Sequence, residues 1–436
     1  MLDFLDFSNP GYVVGYALLA FAVLKFIKDY ATCPEIYGRH GFKSGSYKPG
    51  SFKRKQLNEL RARCGQFPKP YPNGWYKIAD SEEVPKGKVL TVTALGRELV
   101  VFRGDDGRVG VLNAFCPHLG THLGHGGIVK GNNLVCPYHL WEFDACGNNK
   151  KIPYCKKDMS NSNRVNAKAY HSLESKALGS VFLWFDADGR EPQWELHPGL
   201  REIEEWVEEG KMRSVWHNRW EDMLLHVFEP SQNSADDFHF QTVHQYLPMP
   251  FNLKILNVNH KIRSAYGKAA STSEIDPNDP EFSNLGPTEL MIRETIEELR
   301  FMDLFPLPQF IADFICTHVH IQGPNNVVFK VDTPVGRFRA HFALLPIEPF
   351  RQKATMRMYA DKTIPWIVAR TLQWWIRETA DQDRQVWEHK VHISPRNLVI
   401  GDGPFAQYGK WLRQFYSEKS QGWETIVPGG KSSLDW

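Results

Sequence analysis

The chain has 436 residues, which is long enough for two or three domains with a sizeable hydrophobic core. Its formal net charge is only +2, and no dense basic stripe with interleaved aromatic residues is present, so nucleic-acid binding is not indicated. The seven cysteines lack the regular spacing of a disulfide-stapled secreted domain and favour a reducing compartment.

The first apolar segment lies near the N-terminus, in residues 11–30. It is apolar from Tyr12 to Leu24, with two aspartates before it and Lys25 and Lys28 towards its end. A bilayer span needs roughly 20 mostly apolar residues, which this run reaches only if the lysines extend towards the interface. We expect an N-terminal transmembrane helix in residues 1–30, with a buried core helix as the alternative. The positive-inside rule then predicts a single-pass membrane protein, of the endoplasmic reticulum, with the bulk of the chain in the cytosol.

The remainder of the chain divides into four parts by composition. We expect a Gly- and Lys-rich linker over residues 31–70, a module of short strands over 71–190, a larger α+β domain over 191–420 and a tail over 421–436. In the module of strands, Asp105-Asp106-Gly107 separates "ELVVFRG" from "RVGVLNAFC" and predicts a hairpin. The fold class is therefore an anchor, an all-β domain and an α+β domain.

In the larger domain, helical patterns alternate with strand patterns. Helices are expected over about 200–209, 221–245 and 365–391. Strands such as "NNVVFKVDT" and "FRAHFALLPI" lie between the second and third helices.

One stretch, "CPHLGTHLGHGGIVKGNNLVCPYH", combines Cys116-x-His118 with Cys136-x-x-His139. A Cys₂His₂ zinc site is the competing interpretation, but the two histidines of a zinc finger usually lie together on one helix. Here each Gly- and Pro-rich loop supplies one sulfur and one imidazole. This pattern favours a [2Fe–2S] cluster with two thiolates on one iron and two imidazoles on the other, the Rieske arrangement.

Two positions in these loops distinguish between kinds of Rieske domain. The respiratory kind has an additional cysteine in each loop, and the two form a disulfide across the cluster. Here the positions are Thr121 and Tyr138, so that disulfide cannot form. The stretch "CPYHLWEFDACG" resembles instead the Rieske domain of non-haem iron oxygenases.

An oxygenase needs a second, mononuclear iron site, and "NSADDFHFQTVH" offers Asp236-x-x-His239 followed by His244. A site with two histidines and one carboxylate leaves positions open for O₂. Residues five apart on an ideal helix point about 140° apart, so we expect the helix to be distorted or broken between His239 and His244. Two ordinary histidines on an amphipathic helix are the alternative. A carboxylate at Asp236 would orient a metal-bound imidazole and carry electrons or protons onward.

The third ligand is expected on the long helix, in "RETADQDRQVWEHK". Asp383 continues the row of Leu372, Ile376 and Ala380 that recurs at three- and four-residue steps and forms the inward face. Asp381 lies with the polar face instead. We therefore predict Asp383 as the carboxylate ligand.

Together, the two motifs resemble Rieske non-haem iron oxygenases over roughly residues 70–400. Within that family, the N-terminal apolar segment, the cluster motif, "NSADDFHFQTVH" and "QDRQVW" look like the animal cholesterol 7-desaturases of the Neverland type. Bacterial 3-ketosteroid 9α-hydroxylases look similar over both domains. The resemblance implies a Rieske domain at 71–190 and a catalytic domain at 191–420 with an antiparallel, helix-grip-like sheet.

The resemblance also implies roles for the residues. Cys116, His118, Cys136 and His139 match the cluster ligands, and His239, His244 and Asp383 match the ligands of a mononuclear Fe(II). Asp236 matches the aspartate that bridges the two centres between neighbouring subunits of a homotrimer.

The implied reaction converts cholesterol to 7-dehydrocholesterol with O₂. The sequence has no G-x-G-x-x-G after a strand, so electrons from NAD(P)H are expected through a separate reductase. Two other functions stay open at this point: a Rieske hydroxylase acting on another steroid, and a membrane-bound Rieske electron carrier without catalysis.

Overall fold

The computed structural model describes residues 52–157, 162–249, 253–267, 284–313, 317–390 and 396–426. Six further positions are described singly: Phe21, Ile36, Tyr37, Phe282, His392 and Ile393. Most of the predicted tail and the first part of the predicted linker lie outside the described residues.

The strands of the first half of the chain are short. They are β1 (Ile36–Tyr37), β2 (Gly74–Asp80), β3 (Val89–Ala94), β4 (Arg97–Arg103), β5 (Val109–Asn113), β6 (Ile128–Lys130), β7 (Asn133–Val135), β8 (Glu142–Phe143), β9 (Asn149–Lys151), β10 (Ser172–Ser175) and β11 (Ser180–Phe185). The later strands are longer: β12 (Met212–Met223), β13 (Leu256–Tyr266), β14 (Glu289–Phe301), β15 (Phe305–Pro306), β16 (Thr317–Gln322), β17 (Asn326–Thr333), β18 (Gly336–Glu348) and β19 (Arg351–Asp361).

Three small antiparallel sheets form the β module. Their orders are β10-β11-β2, β3-β4-β5 and β6-β7-β8-β9. The predicted hairpin joins β4 to β5, and Gly107 adopts a φ of 84° there, a left-handed conformation that favours glycine. The central strand β4 is buried from Leu99 to Arg103, because it lies between the cores on its two sides.

One large sheet forms the framework of the second domain. Its order is β1-β12-β19-β18-β17-β16-β14-β13, with β15 paired to β14. All neighbours are antiparallel except β1 and β12. The prediction of an antiparallel sheet is thus confirmed.

Helices pack beside and over this sheet. They are α1 (Phe52–Ala62), α2 (Pro198–Glu208), α3 (Glu229–Gln232), α4 (Asp237–Val243), α5 (Gln309–Ala312), α6 (Trp366–Trp387), α7 (Phe405–Arg413) and α8 (Trp423–Ile426). The predicted long helix corresponds to α6. The helix predicted over 221–245 is wrong in its first part, because β12 continues to Met223 and a buried turn separates it from α3.

The two domains meet through main-chain hydrogen bonds and a buried ion cluster. The amide of Leu95 donates to the carbonyl of Pro346 on β18 at 2.6 Å. At the end of β2, Asp80 is buried and forms ion pairs with Lys77 of the same strand, Arg219 of β12 and Arg357 of β19. The two sheets are therefore held together by charges that are shielded from solvent.

The prediction of a single-pass membrane protein of the endoplasmic reticulum is corrected by the structure. None of the helices in the described ranges is both long and apolar enough to cross a bilayer. The longest, α6, has 22 residues but carries charged side chains such as Arg377 and Asp381. The predicted anchor itself lies outside the described residues apart from Phe21. Its apolar run, from Tyr12 to Leu24, also stops short of the roughly 20 residues that a span needs.

Candidate active site

The two predicted cluster loops have the same backbone geometry. In the first loop, the amide of Gly120 donates to the carbonyl of Cys116 at 2.9 Å, and in the second the amide of Leu140 donates to Cys136 at 3.1 Å. The amides of both cysteines donate in turn to the residue five positions later, Thr121 and Trp141. Gly120 and Leu140 both have a positive φ, which closes the loops. Two matching loops thus present one sulfur and one imidazole each.

The residues present fit a [2Fe–2S] cluster. The sulfurs of Cys116 and Cys136 are buried, and the imidazole rings of His118 and His139 lie with their centroids 4.6 Å apart nearer the surface. The Nδ1 atom of His118 is buried and makes no hydrogen bond to any residue that the structure describes. A buried nitrogen with an unused lone pair is costly unless a metal ion binds it.

Burial also governs the chemistry of the sulfurs. It raises the pKa of the Cys116 thiol to about 12, and the neighbouring Cys136 adds to this rise. A thiolate at this position therefore needs positive charge close by, which iron supplies. On the other side, the indole of Trp141 stacks on His118 with the ring planes 9° apart and donates to the hydroxyl of Tyr154 at 2.9 Å.

Helix α4 carries the first histidine and ends at the second. Asp236 caps its N-terminus, where the carboxylate accepts a hydrogen bond from the amide of His239 at 3.2 Å. The helix stops at Val243, and His244 leaves the helical conformation with φ −104° and ψ 16°. The break predicted from the five-residue spacing is present, and the two rings lie 5.5 Å apart.

Asp383 completes the group from the other side of the domain. His239 and His244 each offer one imidazole nitrogen and Asp383 offers a carboxylate oxygen, and these three potential ligand atoms lie within 4.8 Å of one another. The Nε2 atom of His244 is 3.1 Å from Oδ1 of Asp383. Asp381, in contrast, pairs with Arg384 of the same helix. The structure thus brings the three predicted residues together, a donor set that suits non-haem Fe(II).

The electrostatics of these three residues favour a bound cation. Burial lowers the pKa of His239, and the carboxylate of Asp383 offsets this only in part. Burial also acts to lower the pKa of His244, but Asp383 and a hydrogen bond to Gln382 outweigh it and raise the value to about 9. A proton on His244 therefore occupies the place beside Asp383 that a divalent metal ion would take.

Two supporting residues were missed by sequence reasoning. Oε1 of Gln382 lies 3.1 Å from Nδ1 of His244, which leaves Nε2 for a metal ion. Asn233 donates to Asp383 at 3.3 Å and accepts from the indole of Trp387 at 3.2 Å. Both Gln382 and Asn233 stand inside the quoted motifs, but their contacts depend on how α6 packs against α4.

Asp236 acts on His239 through its main chain as well as its side chain. The main-chain carbonyl of Asp236 contacts Nδ1 of His239, which directs Nε2 of that ring towards His244 and Asp383. The carboxylate was expected to contact the imidazole, but it bonds to the His239 amide instead.

A large, mostly apolar cavity opens beside the three residues. It encloses about 1420 Å³ of space between atoms, solvent at its mouth included. The sheet supplies one wall and α6 the other. Apolar lining residues include Ile292, Val319, Val327, Phe329, Val331, Phe338, Phe342, Met356, Leu372, Trp375 and Ile376.

Two family models match the chain. The model of the Rieske [2Fe-2S] domain matches residues 74–171, and that of the 3-ketosteroid 9alpha-hydroxylase C-terminal domain matches residues 332–416. The first contains both cluster loops and the second contains Asp383.

Several full-length relatives are similar across both domains. Cholesterol 7-desaturase of Hemicentrotus pulcherrimus is 31% identical over 392 residues, covering 89% of this chain and 78% of the relative. That of Bombyx mori is 29% identical over 430 residues, covering 96% and 86%. The oxygenase component of 3-ketosteroid-9-alpha-monooxygenase from Mycolicibacterium smegmatis is 27% identical over 358 residues, covering 81% and 84%.

Solved structures share the fold. Dicamba monooxygenase bound to dicamba superposes with a TM-score of 0.55 at 17% identity, covering 79% of this chain and 97% of that one. The NdmA QL mutant of Pseudomonas putida CBB5 with theobromine superposes with a TM-score of 0.53 at 17% identity, covering 78% and 89%.

Fold, cluster loops and ligand group together define a Rieske-type oxygenase, an oxidoreductase. A [2Fe–2S] cluster, a mononuclear iron and a separate reductase are therefore confirmed as predicted. Because the chain is 31% identical to the Hemicentrotus pulcherrimus enzyme and covers 78% of it, the chain belongs to the cholesterol 7-desaturase family of the Neverland type.

Proposed function

We propose that the protein is a cholesterol 7-desaturase. Cholesterol, O₂, NAD(P)H and one proton give 7-dehydrocholesterol, NAD(P)⁺ and two molecules of water. The hydrogens at C7 and C8 of the sterol and two reducing equivalents from NAD(P)H together reduce the O₂. The observation that carries this proposal is the group of His239, His244 and Asp383 in the wall of a large apolar cavity, in a chain of this family.

Cys116, Cys136, His118 and His139 would hold the cluster, and His239, His244 and Asp383 would hold the mononuclear iron. When bound, these groups supply one-electron transfer and the activation of O₂. The Nδ1 of His118, which bonds no described residue, and the convergence of the three ligand atoms support the assignment.

The chain's own residues prepare the site around these groups. Gln382 and the carbonyl of Asp236 hold the Nδ1 atoms of His244 and His239, so both Nε2 atoms point to one place. Asn233 keeps one oxygen of Asp383 in position. The apolar walls exclude water and orient the sterol beside the ligands.

A homotrimer completes the proposal. Exposed apolar side chains surround the histidines of the cluster: Leu119 is 65% exposed, Tyr138 63% and Leu140 54%. Contiguous exposed apolar surface marks a site of protein association. A neighbouring subunit would cover this patch and place its Asp236 between the two metal centres. Sedimentation analysis of the purified protein, expected to give a trimer, checks this part independently of activity.

A second candidate is hydroxylation of a 3-ketosteroid at C9. The match of residues 332–416 to the 3-ketosteroid 9alpha-hydroxylase C-terminal domain favours it. Desaturation and hydroxylation use the same ligand set, so only the products separate them. An electron carrier without catalysis would need no second iron and would not require the ligand group around Asp383.

The test is to express the chain in cells that lack the activity, feed them cholesterol and analyse the sterols. A conjugated 5,7-diene is expected, and it disappears in the Asp383→Ala variant. A hydroxylated steroid from a 3-ketone, without any diene from cholesterol, would replace the first candidate by the second.

A further inference from the structure

Two polar side chains that are not among the predicted iron ligands line the apolar cavity next to each other. Glu294 on β14 and Thr317 on β16 are direct partners in the antiparallel register, and both side chains line the cavity. Side chains at such paired positions lie about 5 Å apart at Cβ. Their neighbours in the same row across the sheet, Val331 and Phe338, are apolar.

Other polar side chains of the lining are already engaged within the protein. The hydroxyl of Thr333 donates to the carbonyl of Gly336 at 2.8 Å, and that of Thr379 donates to the carbonyl of Trp375 at 3.0 Å. Thr317 differs from both, because its hydroxyl makes no hydrogen bond to any described residue. The Thr317 hydroxyl is therefore available to a ligand in the cavity.

The carboxylate of Glu294 is held in place by His260. Nε2 of His260 lies 3.0 Å from the main-chain carbonyl of His244, and a carbonyl only accepts, so Nε2 carries a hydrogen. Nδ1 lies 2.7 Å from Oε1 of Glu294, so these two atoms share a single proton. Whichever of them holds that proton, the second carboxylate oxygen, Oε2, remains an acceptor.

Oε2 of Glu294 therefore offers a ligand a hydrogen-bond acceptor. The neighbouring hydroxyl of Thr317 can both donate and accept a hydrogen bond. An alcohol matches this pair, because its O–H donates to Glu294 while its lone pair accepts from Thr317. A ketone oxygen has only lone pairs, so it would accept from Thr317 and be repelled by Oε2. The pair thus distinguishes between the two oxidation states of one carbon.

We propose that Glu294 and Thr317 bind the hydroxyl group at C3 of a 3-hydroxysterol and disfavour the corresponding 3-ketone. This inference rests on the proposed function, since it concerns the orientation of the sterol in that cavity. The position suits the role: through His260, Glu294 is connected to the backbone of His244, so the hydroxyl would be bound a short distance from the ligand group.

The experiment compares cholesterol with its 3-ketone as substrates of the purified holoenzyme with its reductase. The ratio of kcat/KM for the alcohol to kcat/KM for the ketone is measured for each variant. Glu294→Leu removes the acceptor and should lower this ratio on the order of 100-fold, and Thr317→Val should lower it about tenfold. Glu294→Gln can bond Nδ1 of His260 through its amide nitrogen while its oxygen faces the cavity, so it should retain most of the preference.

Thr379→Val is the matched control, because its hydroxyl is satisfied inside α6, and it should leave the ratio unchanged. Iron content and the EPR signal of the cluster are recorded for every variant, so a variant that has lost its metals is not scored. Equilibrium binding of tritiated cholesterol by the same variants, without reductant, gives a readout separate from turnover and should weaken in the same order.

The outcomes are distinct. If the wild type makes the diene but Glu294→Leu and Thr317→Val keep its preference for the alcohol, the inference is overturned while the proposed function stands. If the wild type makes no diene from cholesterol, the proposed function fails first. A wild type that prefers the ketone overturns the inference directly.

Discussion

The two metal regions of this protein are built in opposite ways. The residues around the cluster come from two loops within residues 116–139, and each loop closes through main-chain hydrogen bonds of its own. The residues around the mononuclear iron come from α4, the residue that follows it and α6, far apart in the chain, and meet only when α6 packs over the large sheet.

The two sites should therefore be sensitive to different kinds of substitution. The cluster loops depend on local backbone geometry, such as the positive φ of Gly120 and Leu140. The catalytic group depends on long-range contacts such as those from Gln382 to His244 and from Asn233 to Asp383. Damage to one region should therefore leave the metal of the other in place, a separation that the following variants test.

The largest effect is expected from Cys136→Ser, which removes a buried cluster ligand. Turnover should be abolished, and iron should fall from about three to about one per chain, because only the mononuclear site remains loaded. Metal analysis and EPR spectroscopy measure this. Cys146→Ser, at an exposed cysteine, is the control and should retain the full spectrum. Loss of all iron in Cys136→Ser would show that the two regions are not independent.

Asp383→Ala should abolish turnover in the complementary way. Iron should fall from about three to about two per chain while the Rieske EPR signal persists, because the cluster loops make no use of α6. Asp381→Ala, two positions away and paired with Arg384, serves as the control and should keep most activity. Equal losses in the two variants would contradict the assignment of Asp383.

Gln382→Leu should have an intermediate effect. The imidazole of His244 loses the partner that holds its Nδ1, and loss of such a supporting contact typically costs 10–100-fold in metal affinity or activity. Titration of the iron-depleted protein with Fe(II) under anaerobic conditions measures the affinity. Gln385→Leu, at an exposed position of the same helix, should leave it unchanged. A normal affinity in Gln382→Leu would mean that α6 positions the site without this contact.

Asp80→Asn tests the junction between the two regions and should change stability more than chemistry. Burial tends to raise the pKa of Asp80, but Lys77, Arg357 and Arg219 outweigh it and hold the pKa well below its usual range. Removing one partner of a buried ion cluster typically costs about 3–5 kcal/mol of unfolding free energy. Urea unfolding at pH 7 measures this loss.

The loss of stability in Asp80→Asn should also depend on pH. The pKa of Asp80 is lower in the folded than in the unfolded chain. Its contribution to the free energy of unfolding is therefore present above about pH 4 and is lost as the pH falls further. The difference in stability between wild type and Asp80→Asn should therefore shrink below about pH 4. A difference that stays constant from pH 7 to pH 3 would exclude this carboxylate as the cause.

The sequence predicted much of the catalytic region for identifiable reasons. The row of Leu372, Ile376, Ala380 and Asp383 follows helical periodicity, so the inward face of α6 could be read in advance, and all four side chains line the cavity. The break before His244 followed from the angle between residues five apart. The helix predicted over 221–245 was wrong in its first part, because β12 continues to Met223 and a buried turn separates it from α3.

The membrane prediction failed for a different reason. It relied on a run of apolar residues near the N-terminus that is short for a bilayer span, and none of the helices in the described part of the chain is long and apolar enough to cross one. Apolar length alone does not distinguish a span from a buried segment.

The ligand types of both metal regions could be predicted from the sequence alone, namely the sulfurs, imidazoles and carboxylate, and so could the two loops that carry the cluster ligands. Short spacing makes such contacts local, so they need no knowledge of the fold. Other contacts could be seen only in the tertiary structure. Asn233 and Gln382 support the ligands, and Asp80 joins the two sheets. Glu294 and Thr317 line the cavity as paired residues of neighbouring strands. These contacts depend on strand register and on the packing of helices that long loops connect. No short motif encodes the entropy and geometry of those loops.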